Sequence, residues 1–206
     1  MKRILGLAVL TLAGAGFFTS CVQDDDTALA PFKELIFSES FPEDEIDYNQ
    51  VFDFEGWTNF AETGTKLWTE RDFNNSGYIQ FNPYGSGQAS NIGWAITPGF
   101  ELNPGVNAVL SFSSASNFVD NPDNKIEVLI STDYDGNSAN VLTSTWTVLD
   151  AVVADETTNG YTYIPSGEID LSAYTGTVHI AFRVTGNGTT LDGLYQVDDV
   201  KVYSNN

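Results

Sequence analysis

The chain has 206 residues, with 28 acidic side chains against eight basic ones and a formal net charge of −20 at pH 7. A field of that sign repels nucleic-acid phosphates and anionic lipid headgroups, which argues against both as partners, and it favours cations and neutral ligands. One cysteine and one histidine leave no disulfide, no histidine-rich zinc site and at most one Ser-His-Asp arrangement.

At the N-terminus, Lys2 and Arg3 form a basic head, and Ile4 to Phe18 is apolar or small apart from Thr11. Thr19 and Ser20 are small residues just before Cys21. This is the layout of a signal peptide; a membrane span needs ~20 apolar residues, and no 3.6-residue period marks a core helix. The stretch "FTSC" resembles the lipobox of a bacterial lipoprotein, with Ser20 fitting the pattern and Phe18 replacing the usual leucine. The resemblance implies cleavage after residue 20 and a lipid on Cys21. The following "VQDDDT" resembles the acidic export signal of Bacteroidetes lipoproteins, implying an outer-membrane lipoprotein exposed at the cell surface, held by its lipid anchor alone. Physically, such a run is also a solvated tether. We therefore expect a signal peptide over 1–20, an acidic lipidated linker over 21–32 and one domain over 33–206. Removing Lys2 and Arg3 leaves six basic side chains against the 28 acids.

Beyond the linker the dominant period is two. "ELIFSESF" places Leu35, Phe37, Glu39 and Phe41 on one face; "NIGWAIT" groups Ile92, Trp94 and Ile96; "AVLSFSS" groups Ala108, Leu110 and Phe112. "KIEVLIS" gives Ile126, Val128 and Ile130, "VHIAFRV" gives Val178, Ile180, Phe182 and Val184, and "QVDDVKV" closes the chain. These read as half-buried strands. Turn chemistry separates them in "NNSG", "PYGSG", "NPG", "DNPDN", "DYDGN" and "TGNG". "DLSAYTG" reads as one short turn. Many short strands without a helical window predict two stacked antiparallel sheets in an all-β sandwich.

The ordered stretches "FSESF", "GWTNF", "KLWTE", "GYIQFNPYGSG", "NIGWAITPGFEL", "KIEVLISTDYDG" and "YQVDDVKVY" resemble a choice-of-anchor J domain. More distantly, they are similar to the cleaved-adhesin modules of gingipain-type haemagglutinins and to MAM domains. The resemblance spans about residues 35 to 203. It implies a galactose-binding-like jelly roll on surface or secreted bacterial proteins, commonly with structural calcium, and no single activity.

Catalysis finds little support. His179 lies on the strand phase opposite Val178 and Ile180, no GxSxG stretch occurs, and no spacing among the acids singles out a glycosidase pair. We expect no catalytic residue and a binding module instead. Aromatics in or beside turn-rich stretches are the candidate ligand contacts: Trp57, Trp68, Tyr84 and Tyr134, with Tyr161 and Tyr163 alongside. Trp94 and Trp146 are expected in the core. The leading partner is an extracellular carbohydrate; the alternative is a surface protein bound by an adhesion or assembly module.

Calcium is the expected cofactor. By strand phase, Glu39 and Asp198 point where apolar side chains point, and a buried carboxylate needs neutralising. In jelly-roll relatives the first and last strands run together, so Glu39 and Asp198 are expected to share one ion. Backbone carbonyls and a further acid, Asp53, Glu55 or Asp199, are expected to complete its shell.

Overall fold

The computed structural model describes residues 33–205; the signal, Cys21 and the linker expected over 1–32 lie outside them. Among the described residues there are thirteen strands and two short 3-10 turns, Glu43–Glu45 and Ser138–Asn140.

The first sheet contains β1 (Leu35–Glu39), β3 (Thr69–Phe73), β4 (Ser76–Phe81), β7 (Ala108–Asn117), β10 (Ile164–Pro165), β11 (Ile169–Asp170) and β13 (Leu194–Ser204). Its order is β3–β4–β13–β7–β10, with β1 extending the β4 side of β13 and β11 lying on β7. The second sheet contains β2 (Thr58–Thr63), β5 (Asn91–Ile96), β6 (Phe100–Leu102), β8 (Lys125–Ser131), β9 (Thr147–Val148) and β12 (Gly176–Gly186). Its order is β2–β5–β12–β8–β9, with β6 also on β12. The strand pairs are antiparallel. The result is the expected two-sheet jelly roll, with first and last strands paired (Glu39 opposite Val200).

The core lies between the sheets. Ile79, Phe81, Leu110, Phe112, Val197 and Val202 face Val128, Ile130, Ile180, Phe182 and Val184, all at most 3% exposed. Each such burial contributes roughly 1.5–3 kcal/mol. Phe112 and Phe182 meet edge to face across the sandwich, with ring centroids 5.1 Å apart. Gly93 on β5 is required by packing, because a Cβ there would collide with the Phe81 ring. The "NNSG" turn behaves as its composition dictates. Asn74 and Asn75 both take positive φ (52° and 64°) and close the β3–β4 hairpin between Phe73 and Ser76.

Two features depart from strict alternation. In β1 the register shifts between Leu35 and Phe37, so Leu35 is 56% exposed while Ile36 and Phe37 pack on the core. In β13 it shifts between Asp198 and Lys201, with Asp199 at φ 54°. Val197 and Val200 can therefore both face the core, and Asp198 turns to the opposite face.

The outer face of the second sheet carries its own small cluster. Trp94, Ile96, Leu129 and Ala181 are covered by Tyr134, Val141 and Trp146 from the loop between β8 and β9. Trp94 is buried as expected, but in this outer cluster and not between the sheets. Trp146 packs beside it at 5.3 Å.

A groove across the first sheet as candidate functional site

The candidate site lies on the outer face of the first sheet. Its floor is polar: Gln80 of β4 and Gln196 of β13, at most 4% exposed, are joined by an Nε2–H···Oε1 bond of 3.0 Å. Two cavities of about 670 and 510 Å³ lie over this floor and share Arg71, Gln80 and Tyr161, forming one groove. Tyr84, Phe118 and Tyr161 line the first half, and Tyr48, Phe73, Tyr161 and Tyr163 the second.

Loops set the walls, and hydrogen bonds hold the loops. Phe118 and Tyr161 both have positive φ (59° and 61°), costly for aromatic residues, and their rings meet edge to face at 6.4 Å. Asn159 maintains this arrangement: its Oδ1 accepts the Val119 N–H at 3.0 Å and its Nδ2 donates to the Val119 carbonyl. The Tyr161 N–H donates to the Ser116 carbonyl at 3.1 Å, and Gly160 N–H to Asn117 Oδ1 at 3.2 Å. On the opposite wall, Glu70 is 1% exposed and accepts the N–H groups of Asp47 (2.7 Å) and Asp53 (3.2 Å). Burial pushes its carboxyl up, against the pull of those two donors. Glu70 thereby pins the segment that carries Tyr48 and Asn49. The groove is pre-ordered, which lowers the entropy lost on binding.

Asp198 faces this side of the sheet. Its Oδ1 accepts the Asp199 N–H at 2.6 Å, and Ser76 Oγ lies 3.4 Å from Oδ2. Burial pushes its carboxyl up to about 6. Burial and the nearby Asp198 charge also raise the Tyr163 phenol well above its usual range. A carboxyl whose folded pKa exceeds its unfolded value stabilises most below the unfolded value. That contribution is lost as pH rises from about 4 through about 6. Asp198→Asn keeps an acceptor for Asp199 N–H, so it should melt higher than wild type above pH 6 by about 1–2 kcal/mol, a value discounted for residual solvent, and equal it near pH 4. Thermal melts across pH 4–8 check this; parallel curves for the two proteins would refute it.

No family model matches the chain, and no curated protein matches it. Solved structures do. The K2 cleaved adhesin domain of Lys-gingipain superposes with a TM-score of 0.52 at 15% identity, covering 81% of this chain and 99% of that one. The K1 cleaved adhesin domain from Porphyromonas gingivalis W83 gives 0.50 at 17%, covering 82% and 98%. The CBM22-1 xylan-binding domain of Paenibacillus barcinonensis Xyn10C gives 0.48 at 12%, covering 85% and 97%. The two adhesin domains share the fold of this chain. At such identities a likeness speaks for the fold alone.

The aromatics singled out from sequence divide sharply. Tyr84 is 68% exposed in the groove, as are Tyr161 and Tyr163 at 48% and 37%. Trp68 is wholly buried, against Phe81 at 5.8 Å. Tyr134 is 4% exposed; its hydroxyl bonds Thr58 Oγ1 at 3.0 Å and its ring lies 4.9 Å from His179. Trp57 is half-buried among Phe37, Phe41 and Phe52, at 5.3–6.3 Å. Turn-rich sequence therefore misplaced Trp68, Tyr134 and Trp57, because their loops fold inward over the sheets. Tyr48, Phe73 and Phe118 were missed, although "DYNQ", "DFNNSG" and "SNFVDNPD" show the same aromatic-beside-turn signal.

His179 is buried on the other sheet, with Nδ1 2.8 Å from the Thr97 carbonyl oxygen. The acids expected around calcium do not converge as the strand phase suggested. Glu39 is half-buried and accepts the Phe41 N–H at 3.0 Å, whereas the bulge turns Asp198 outward. Asp199 pairs with Lys201 at 2.9 Å, and Asp53 and Glu55 are exposed. Among the described residues no group of three or more His, Cys, Asp or Glu side chains is arranged to hold a metal. Glu39, opposite core-facing Val200, and Asp198, turned to the other face, are thus not brought together as one site.

Proposed function

We propose that this protein is a non-catalytic module that binds an extended extracellular glycan along the groove of the first sheet. One observation carries the reading. Among the described residues, all six exposed large aromatic side chains (Tyr48, Phe73, Tyr84, Phe118, Tyr161 and Tyr163) line this one groove, although they come from separate segments of the chain. Sugar rings have apolar faces that stack on flat aromatics, and their hydroxyls pair with amides and carboxylates such as Gln80, Asn82 and Asp192. A stretched cleft with a hydrogen-bonding floor suits a chain better than a single sugar.

The adhesion alternative asks for a contiguous apolar patch or a strand edge open to a partner, and the edges can be judged directly. The outer strands β9 and β10 have two residues each, β2 carries a bulge between Ala61 and Thr63, and β3 is bridged by Val51 at Thr69. Such edges are short, twisted or covered, which disfavours strand addition. The test is retention of the full chain, purified in detergent, on a panel of immobilised plant, algal and microbial polysaccharides. Binding to none of them would remove the reading.

A lipid on Cys21 would anchor the module to the membrane, and the acidic run Asp24, Asp25 and Asp26 would direct it to the outer face of the cell. Cys21→Ala should move the protein from the membrane to the soluble fraction. An unlipidated mature N-terminus by mass spectrometry would sink that part alone.

A further inference from the structure

The six basic residues of the described chain are not alike. Four are ion-paired: Lys33 with Glu168 at 2.8 Å, Lys125 and Arg183 with Glu127 at 3.2 and 2.8 Å, and Lys201 with Asp199 at 2.9 Å. Among the described residues, Lys66 and Arg71 have no carboxylate partner. In a chain with 28 acids, this is not for want of anions. Both unpaired cations lie on the same wall. Arg71 lines both halves of the groove, and with Lys66 it lines a smaller cavity of about 130 Å³ that shares Gln80 and Asn82 with the main one.

Arg71 is oriented without being neutralised. Its Nη1 donates to Asn49 Oδ1 at 3.0 Å, and its guanidinium lies 5.0 Å from the Tyr48 ring centroid. Asn49 and Tyr48 belong to the segment that Glu70 pins through Asp47 and Asp53. A neutral amide and an aromatic face hold the guanidinium in place while leaving donors for an incoming group. A planar guanidinium presents paired N–H groups that match a carboxylate.

We infer that the groove selects a glycan bearing isolated uronic-acid carboxylates, one of which pairs with Arg71 beside Lys66. The inference rests on the glycan reading of the groove and adds a charge requirement to it. Isolated carboxylates are specified by the rest of the surface. Asp120 and Asp192 line the groove beyond Arg71, and the net charge of −20 repels a densely charged polyanion. The overall charge thus favours neutral chains, and the local cations admit an acid at one place.

The test uses the full chain in detergent and four probes: a sparsely substituted glucuronoxylan, the same polymer with its carboxyls reduced to alcohols, polygalacturonate and dextran sulfate. Wild type should bind the glucuronoxylan about tenfold more tightly than its reduced form, and more tightly than the two dense polyanions. Arg71→Gln should bind the acidic and reduced polymers alike, with its melting temperature unchanged. Equal affinity of wild type for those two polymers, including no binding to either, overturns the inference. Tighter binding of either dense polyanion overturns the isolated-carboxylate assignment. Tyr84→Ala and Tyr161→Ala read the groove separately: both should weaken the acidic and the reduced polymer together. Unchanged binding by those variants would remove the groove reading itself, whatever Arg71 does.

Discussion

Trp68→Ala should destabilise the domain by about 3–5 kcal/mol, a large share of the ~5–15 kcal/mol that holds an ordinary domain together. Trp68 is wholly buried, and its ring lies 5.8 Å from Phe81 of β4. Its backbone is tied on both sides: its N–H donates to Asn59 Oδ1 at 3.1 Å, and its carbonyl accepts the Phe52 N–H at 3.0 Å. Truncation leaves a cavity that these fixed neighbours cannot fill. Trp68→Phe should cost less than alanine, because the buried indole Nε1 has no hydrogen-bond partner and phenylalanine removes that unpaired donor. Urea melts of the three proteins decide the matter. An unchanged midpoint for Trp68→Ala, with glycan binding lost, would make Trp68 a ligand contact after all.

Tyr161→Ala should do the reverse. Tyr161 lies where the two halves of the groove meet and is 48% exposed. Losing one stacking contact should weaken glycan binding about 5- to 30-fold, or ~1–2 kcal/mol, with little change in melting temperature. The backbone offers a sharper control. Tyr161 has φ 61°, which glycine adopts without strain. Tyr161→Gly should therefore lose as much affinity as alanine while melting no lower than it. Titration calorimetry beside thermal melts reads both quantities. A glycine variant that retains affinity would show that the ring is not used.

The two-sheet architecture is legible in the local pattern of residues. Alternation in stretches such as "KIEVLIS" and "VHIAFRV" can bury its apolar set only on a pleated strand, and the paired asparagines of "NNSG" accept the positive φ that a tight hairpin demands. The same local pattern marks Tyr84, Tyr161 and Tyr163, because an aromatic beside Gly, Asn and Asp sits where chains turn near the surface. Long-range packing sets what remains. A period of two separates two faces without saying which lies between the sheets, so Trp94 is buried in the outer cluster while Phe182 is at the centre. One extra residue in β13 reverses the phase before it, and that bulge sends Asp198 away from the core and from the ion expected there. The groove is the most non-local feature of all. Tyr48, Tyr84, Phe118 and Tyr161 are far apart in sequence, and only the pairing of β3, β4, β13 and β7 brings their loops to one face. Local residue preferences act over a few positions, whereas a binding surface is made by strand order, which long-range packing selects.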